Sequence, residues 1–276
     1  MKISLLLLLF AVLASGCIAS SPAGGGLFVS VTPDPPVVFS SGILRINIDI
    51  DNKNPRTVAD VSAQVFDTGI LSGNTCQQQI SFMRPDEFKT FSCILQAPQR
   101  EALVQNQVKT SVGTRVSYTA DLSAAQIVEM MTENEYLQRT QSGRLQARPS
   151  SYVYTDKNVE IDVEFSDAMP IIVRPDVQKD YFVYFTIKNT GNGFIENLKY
   201  GDFILAPVRP DEPNIVICPD LNSPSWKLEP EGKKFPRIAC RLALPSGVSV
   251  VENYGLVVLL KYRYEIRENT VVTVIK

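Results

Sequence analysis

Apolar and polar residues alternate without a break through Leu44-Arg45-Ile46-Asn47-Ile48-Asp49-Ile50-Asp51. A period of two puts one set of side chains in a core and the other in water, which predicts a half-buried β-strand. Tyr181 to Ile187 is mostly apolar on both faces, as a central strand of a sandwich is. Gly255 to Tyr264 alternates toward its end. The run Leu256 to Leu260, LVVLL, predicts a buried strand, and Lys261 follows it at once. A membrane-spanning helix needs roughly 20 apolar residues, so this run does not provide one. Turn signals punctuate the pattern at Asn52-Lys53-Asn54-Pro55, Gly191-Asn192-Gly193 and Pro245-Ser246-Gly247. Many short strands between such turns predict a β-sandwich or barrel.

The pattern occurs twice. Phe82-Met83-Arg84-Pro85-Asp86-Glu87-Phe88-Lys89-Thr90-Phe91-Ser92-Cys93 is followed by ILQAP, and Leu228 to Cys240 is followed by RLALP. Both run apolar, Pro, acidic, Lys, Phe, Cys, Leu, Pro. Upstream, ILRINIDIDNKNP (Ile43 to Pro55) matches YFVYFTIKNTGNG (Tyr181 to Gly193). Downstream, each copy has a Tyr-bearing strand, around Tyr118 and around Tyr262 and Tyr264. The same order twice indicates duplication of one unit. Residues 125 to 131 have helical propensity, but the repeat aligns them with Val271 to Ile275 and so predicts strand.

The cysteines follow the repeat. Cys76, Cys93, Cys218 and Cys240 contain no C-x-x-C pair, which leaves a zinc ribbon or thioredoxin-like motif unsupported. Of three possible pairings, the repeated contexts favour Cys76–Cys93 and Cys218–Cys240. Each closes a loop of about 20 residues, worth roughly 3 kcal/mol in the chain-entropy model. Whether such a bond joins two sheets or pins an edge stays open. Between the copies, Thr132-Glu133-Asn134-Glu135 has the form of a capping box and predicts a short helix over Glu133 to Gln141, with Gly143 stopping it. Leu145 to Ser151 reads as a linker.

The N-terminus has another character. One Lys precedes ISLLLLLFAVLA (Ile3 to Ala14), a run too short to span a bilayer but suited to the apolar region of a secretory signal. Leu13-Ala14-Ser15-Gly16-Cys17 resembles a lipobox, with Ala14 where Leu is more usual. That resemblance implies cleavage after Gly16 and lipidation of Cys17. Ile18 to Gly26, IASSPAGGG, has the composition of a flexible spacer. An exported chain reaches an oxidising compartment, where the two disulfides persist.

Composition narrows the chemistry. The chain has no His, which excludes Ser-His-Asp, Cys-His and His-ligated zinc sites. A formal net charge of −2 without long charged runs makes nucleic acid an unexpected partner. Asp49, Asp51, Asn54 and Asp60 suggest a calcium loop, but Lys53 takes a ligand position and no turn Gly is present, so strand alternation explains them better. Arg209-Pro210-Asp211-Glu212-Pro213-Asn214 reads as a solvated loop. Trp226, between Cys218 and Cys240, is expected to pack in the second core.

Each copy resembles the immunoglobulin-like modules of prokaryotic surface proteins, especially the CARDB-like domains. The residues that carry this are TIKNTGNGFIENLKY (Thr186 to Tyr200) and IDNKNPRTVADVSAQVF (Ile50 to Phe66). Asn54-Pro55 also resembles the WHy-type domain, another small β-sandwich. The resemblance implies an extracellular binding or spacer module without catalytic residues. The expected fold is all-β: two tandem immunoglobulin-like β-sandwich domains with a short linking helix. Residues 1–16 form the signal peptide, 17–27 a flexible tether, 28–131 the first sandwich, 132–154 helix and linker, and 155–276 the second sandwich. The expected function is a non-enzymatic surface lipoprotein acting in binding, adhesion or envelope assembly. It would be held by a lipid on Cys17 at the outer face of the cell membrane or envelope and engage a protein or envelope partner, with no cofactor or metal. The alternative is a secreted enzyme or solute-binding component using carboxylates, which requires a recess with convergent acids.

Overall fold

The computed structural model describes residues 25–73, 76–174, 177, 179–243 and 248–276. The N-terminal half comprises β1 (Leu27–Asp34), β2 (Val37–Phe39), β3 (Ile43–Asn52), β4 (Val58–Asp67), β5 (Gln77–Met83), β6 (Phe88–Gln96) and β7 (Gln107–Thr132). The C-terminal half comprises β8 (Ser151–Thr155), β9 (Val159–Phe165), β10 (Ile171–Val173), β11 (Tyr181–Asn189), β12 (Phe194–Ile195), β13 (Leu198–Lys199) and β14 (Phe203–Pro207). It continues with β15 (Val216–Ile217), β16 (Lys227–Leu228), β17 (Ile238–Leu242) and β18 (Val251–Ile275). The chain is all-β and sandwich-like, with several sheets and no barrel. Among the described residues no helix is long and apolar enough to cross a membrane.

A helix, Glu133–Gln141, links the halves where the sequence predicts it. The Thr132 hydroxyl accepts the Glu135 N–H at 3.4 Å, which satisfies one of the N–H groups a helix start leaves unpaired. Gly143 ends it in the left-handed region, at φ 66°, where a side chain is strained. Residues 125–131 are strand, as the repeat requires, because they continue β7.

β7 and β18 pair antiparallel along their whole length, from Gln107 opposite Ile275 to Met131 opposite Val251. At about 3.4 Å per residue, a ribbon of this length reaches roughly 80 Å. No Gly, Pro or Asn interrupts β7 between Thr114 and Thr132, so nothing in that stretch breaks the ladder. One end of the ribbon faces the sheet β1-β3-β6; β4 lines it on β7, β5 extends it, and β2 lies parallel to Thr273–Ile275 of β18. The other end faces the sheet β15-β17-β11-β9-β8; β12 and β14 line it on β18, and β10 lies parallel to Met130–Thr132 of β7. The C-terminal part of β7 therefore serves the second sandwich, and the C-terminal part of β18 serves the first. Each copy of the repeat gives the end of its last strand to the other.

The inward positions keep the predicted period. In the first sandwich Ile46, Ile48 and Ile50 of β3 meet Val61, Val65, Val112, Val116, Val272 and Val274 in one buried cluster. In the second, Val183, Phe185 and Ile187 of β11 meet Leu256, Val258 and Leu260, with the Phe185 and Phe203 rings edge-on at 5.3 Å. Each such side chain, fully buried, contributes about 1.5–3 kcal/mol. β11 lies between β9 and β17, the central position that its two apolar faces predict.

Candidate functional site

Of the residues singled out in the sequence, Cys17, the run Ile3 to Ala14, most of the spacer and the turn at Pro245-Ser246-Gly247 lie outside the described residues. The other four cysteines lie at bonding distance in the expected pairs, and the pairs do different work. Cys93 is on β6, in the three-stranded sheet, while Cys76 leads into β5, in the ribbon sheet; their Cα atoms are 5.5 Å apart. This bond joins the two sheets along the open side of the first sandwich. Cys218 follows β15, and Cys240 lies on β17, its antiparallel neighbour in the same sheet, with Cα atoms 4.6 Å apart. The second bond pins two strands of one sheet and leaves the ribbon sheet alone.

The strand arrangement explains this difference. In the first half, β5 pairs with β4 from Val58 opposite Met83 to Gln64 opposite Gln77, so the ribbon sheet has a further strand beyond β4. The corresponding region of the second half is split. β16 pairs only with Leu198–Lys199 of β13, while β15, ahead of Cys218, pairs with β17 much as Ser72, ahead of Cys76, pairs with Gln96 at the end of β6. Among the described residues, no strand pairs with the second edge of β14. A recess of about 260 Å³ lies beside that edge. Phe203, Ile204 and Leu205 form one wall and Asn214, Val216 and Leu221 the other.

The outer face of the ribbon next to β14 is apolar. Inward residues Leu256, Val258 and Leu260 are buried, so Gly255, Val257 and Leu259 point outward. In register, Ser123, Leu259 and Ile204 form one row, and Ala125, Val257 and Ala206 the next. Ile127, Gly255 and Val208 form a third, in which Val208 N–H donates to the Gly255 carbonyl at 2.9 Å. Ile127, Ile204, Val208 and Leu259 keep 49, 46, 51 and 41 % of their surface exposed. Val208 sits where a Gly255 side chain would lie, and this close approach requires the glycine. The LVVLL run is thus buried on one face and open on the other.

Around the middle of the ribbon the same face is ionic, and toward its other end Val271 is exposed. Arg267 pairs with Glu265 at 2.6 Å, Arg115 with Glu265 at 3.6 Å, and Arg115 donates to Gln64 at 2.7 Å. Arg263 donates to Ser117 at 3.0 Å and pairs with Glu196 at 3.1 Å.

A buried polar cluster occupies the waist between the sandwiches. Tyr118 lies opposite Tyr264 in the ribbon, ring centroids 5.7 Å apart. Asn158 donates to the Tyr118 hydroxyl at 2.7 Å, and Tyr262 donates to the Asp156 carboxylate. That carboxylate also accepts the N–H groups of Asn158 and Val159 at 3.0 and 2.9 Å. Gly193 N–H donates to Tyr264, which donates to Asn189 at 3.2 Å. Burial, and then the Asp156 charge, push the Tyr262 hydroxyl well above the ordinary tyrosine range; burial and Tyr264 do so for Tyr118. Every one of these hydroxyls has a partner within the protein, which marks the cluster as structural. The repeated Asn-turn seen in the sequence feeds this seam: Asn189 belongs to it, and its counterpart Asn52 is fully buried, donating to the Met83 and Arg84 carbonyls.

The remaining candidates fall into structural roles. Asp49 accepts the Thr90 hydroxyl at 2.6 Å, Asp51 pairs with Lys53 at 2.8 Å, and Asn54 caps the turn at Arg56. No group of three or more His, Cys, Asp or Glu able to hold a metal occurs among the described residues. Arg209 and Glu212 form an ion pair, and Glu212 accepts the Gly255 N–H at 3.3 Å, which ties the loop to β18. Trp226 is half-buried against the core. The main recesses each hold one carboxylate or none: Asp167, Glu268, Glu129 and Asp34 lie in separate places.

No family model matches the chain, and no curated protein is significantly similar to it.

Proposed function

We propose that the protein is a non-enzymatic binding module held at the outer face of the cell membrane or envelope by a lipid on Cys17, with a protein as its partner. It is built from two immunoglobulin-like units of the CARDB-like kind, fused through the shared ribbon. The observation that carries the binding role is the apolar outer face of Ile127, Leu259, Ile204 and Val208, set beside an ionic counterpart on the same ribbon. Exposed apolar surface of this contiguity marks interaction sites in soluble proteins. Carboxylates dispersed one to a recess favour this reading over the alternative of a carboxylate enzyme or solute-binding component, which needs them convergent.

Two measurements test the reading. Labelled fatty acid should incorporate into the protein and be lost in Cys17→Ser, which should leave the membrane fraction. A photo-crosslinker at Leu259 in intact cells should give a discrete protein adduct, absent when Ile204→Glu is added. Unlabelled, fully soluble protein removes the anchor; adducts indifferent to Ile204→Glu remove the binding face.

A further inference from the structure

The place where the chain enters the fold limits how an anchored molecule can stand. Gly25 and Gly26 sit at the waist. A side chain at Gly25 would collide with Lys157 and one at Gly26 with Asn158, and the Gly26 carbonyl accepts the Lys53 N–H at 2.8 Å. Asn158 in turn holds Tyr118, which lies opposite Tyr264 near the middle of the ribbon, between the end pairs Gln107–Ile275 and Met131–Val251. At about 3.4 Å per residue, each end of the ribbon is roughly 40 Å away. Eight residues separate Gly25 from Cys17. At no more than about 3.6 Å each, they reach about 29 Å. A molecule standing on either end of the ribbon would hold Gly25 beyond that reach from a lipid on Cys17. It must therefore lie along the membrane, with the waist toward the lipid.

The residues around this entry suit a lipid surface. Leu27 and Val29 pack against the core, so Phe28 points away from it. In register, Phe28, Asp51 and Phe88 form one row across the sheet β1-β3-β6, and the two rings keep 54 and 58 % of their surface exposed. Lys53 stands beside them, paired with Asp51. Across the waist, Lys157, Lys233 and Lys234 lie on exposed turns that are bonded together. The Thr190 hydroxyl donates to the Lys157 carbonyl at 3.2 Å, and Asn189 N–H to the Lys233 carbonyl at 2.7 Å. Among the described residues none of these three lysines forms an ion pair. Glu231 shares the last turn and offsets part of their charge. We infer that the molecule rests lengthwise on an anionic lipid surface, with Phe28 and Phe88 in the headgroup layer and Lys53, Lys157, Lys233 and Lys234 at lipid phosphates. Rings with this placement favour the membrane–water interface, and each lysine near an anionic surface adds to the attraction. Val271 occupies the opposite surface of the same sandwich, since its neighbour Val272 is buried in the core.

This inference rests on the lipid-anchor reading, and its test supplies the anchor chemically so that the two can fail separately. The chain from Cys17 onward is coupled to a maleimide lipid through Cys17, the one cysteine outside the two pairs. The vesicles are phosphatidylcholine with phosphatidylglycerol. A benzoylphenylalanine crosslinker in place of Phe28 or Phe88 should form lipid adducts, and one in place of Val271 should form few. Lys157→Glu combined with Lys233→Glu should lower the Phe28 adduct at least about fivefold with unchanged circular dichroism. Added salt should lower it in the unsubstituted chain as well, which needs no variant to fold. Lipid labelling at Val271 equal to that at Phe28 overturns the inference. So does Phe28 labelling that is absent, or that survives both salt and the double substitution. Failure of Cys17 to take up fatty acid in cells would leave this experiment untouched.

Discussion

The two halves of the chain build the same sandwich and finish it differently. In the first, β5 extends the ribbon sheet, Cys76–Cys93 ties that sheet to its partner, and the outer face carries a net of Arg, Glu and Ser next to the waist. In the second, Cys218–Cys240 ties β15 to β17 within one sheet, the segment after it pairs only briefly, as β16 on β13, and among the described residues no strand pairs with the second edge of β14, beside an apolar face. The contrast turns on how far the segment after the first cysteine pairs with the ribbon side: β5 along Val58–Gln64 of β4, β16 only with Leu198–Lys199 of β13. Two similar units can be closed in one half and left open in the other, provided the two share enough structure to stay folded. The ribbon of β7 and β18 supplies that shared structure.

Breaking the seam should have the largest effect. Tyr264 is buried against Tyr118 and Tyr262 and holds Gly193, so Tyr264→Ala is expected to cost roughly 3–5 kcal/mol in urea denaturation. Both halves should lose stability together; loss confined to one would show that the halves fold separately. Next come the disulfides. Removing either pair as alanines should cost about 3 kcal/mol. Hydrogen exchange should separate them: without Cys76–Cys93 both β5 and β6 should exchange faster, whereas without Cys218–Cys240 the change should stay with β15 and the turn at Pro219–Asn222. Indistinguishable exchange maps would erase the contrast between the halves.

High pH loads the same seam more gently. Tyr118 and Tyr262 have hydroxyls raised above the unfolded value near 10, so the native state favours the neutral form. Their contribution is complete below pH 10 and is lost as pH rises toward the folded values, by roughly 1.4 kcal/mol per pH unit for each. Stability that is flat from pH 7 to 10 and then falls, with Tyr262→Phe showing a shallower fall, is the expected profile. Smallest in stability are Leu259→Glu and Val271→Glu, on the two outer faces, each within about 0.5 kcal/mol. Only Leu259→Glu should abolish the crosslinked adduct.

Parts of this architecture are written plainly in the sequence. Alternation in Leu44–Asp51 marks β3 because one face is buried and the other wet. Thr132 and Glu135 mark the helix start because the cap is a local bond. The paired cysteine contexts lead to the two cysteine pairs because the same order of Pro, acidic residue, Lys, Phe and Cys recurs in both halves. Other parts are invisible for physical reasons. A period of two says that a residue faces a core but not which core, so the passage of β7 from one sandwich to the other leaves no trace. β16 is two residues long, and no local signal foretells that its pairing stops at Leu198–Lys199 of β13. The LVVLL run reads as fully buried, since burial of one apolar face and exposure of the other cannot be told apart when both are apolar.

The shared ribbon is tested most directly by cutting the chain between its halves. A site-specific protease site placed after Gly143, on the exposed segment beyond the helix, allows cleavage of the folded protein. Size-exclusion light scattering of the cut protein should give the mass of the intact chain, because β7 of one piece remains paired with β18 of the other along their whole length. Two separate particles of about half that mass would contradict the account.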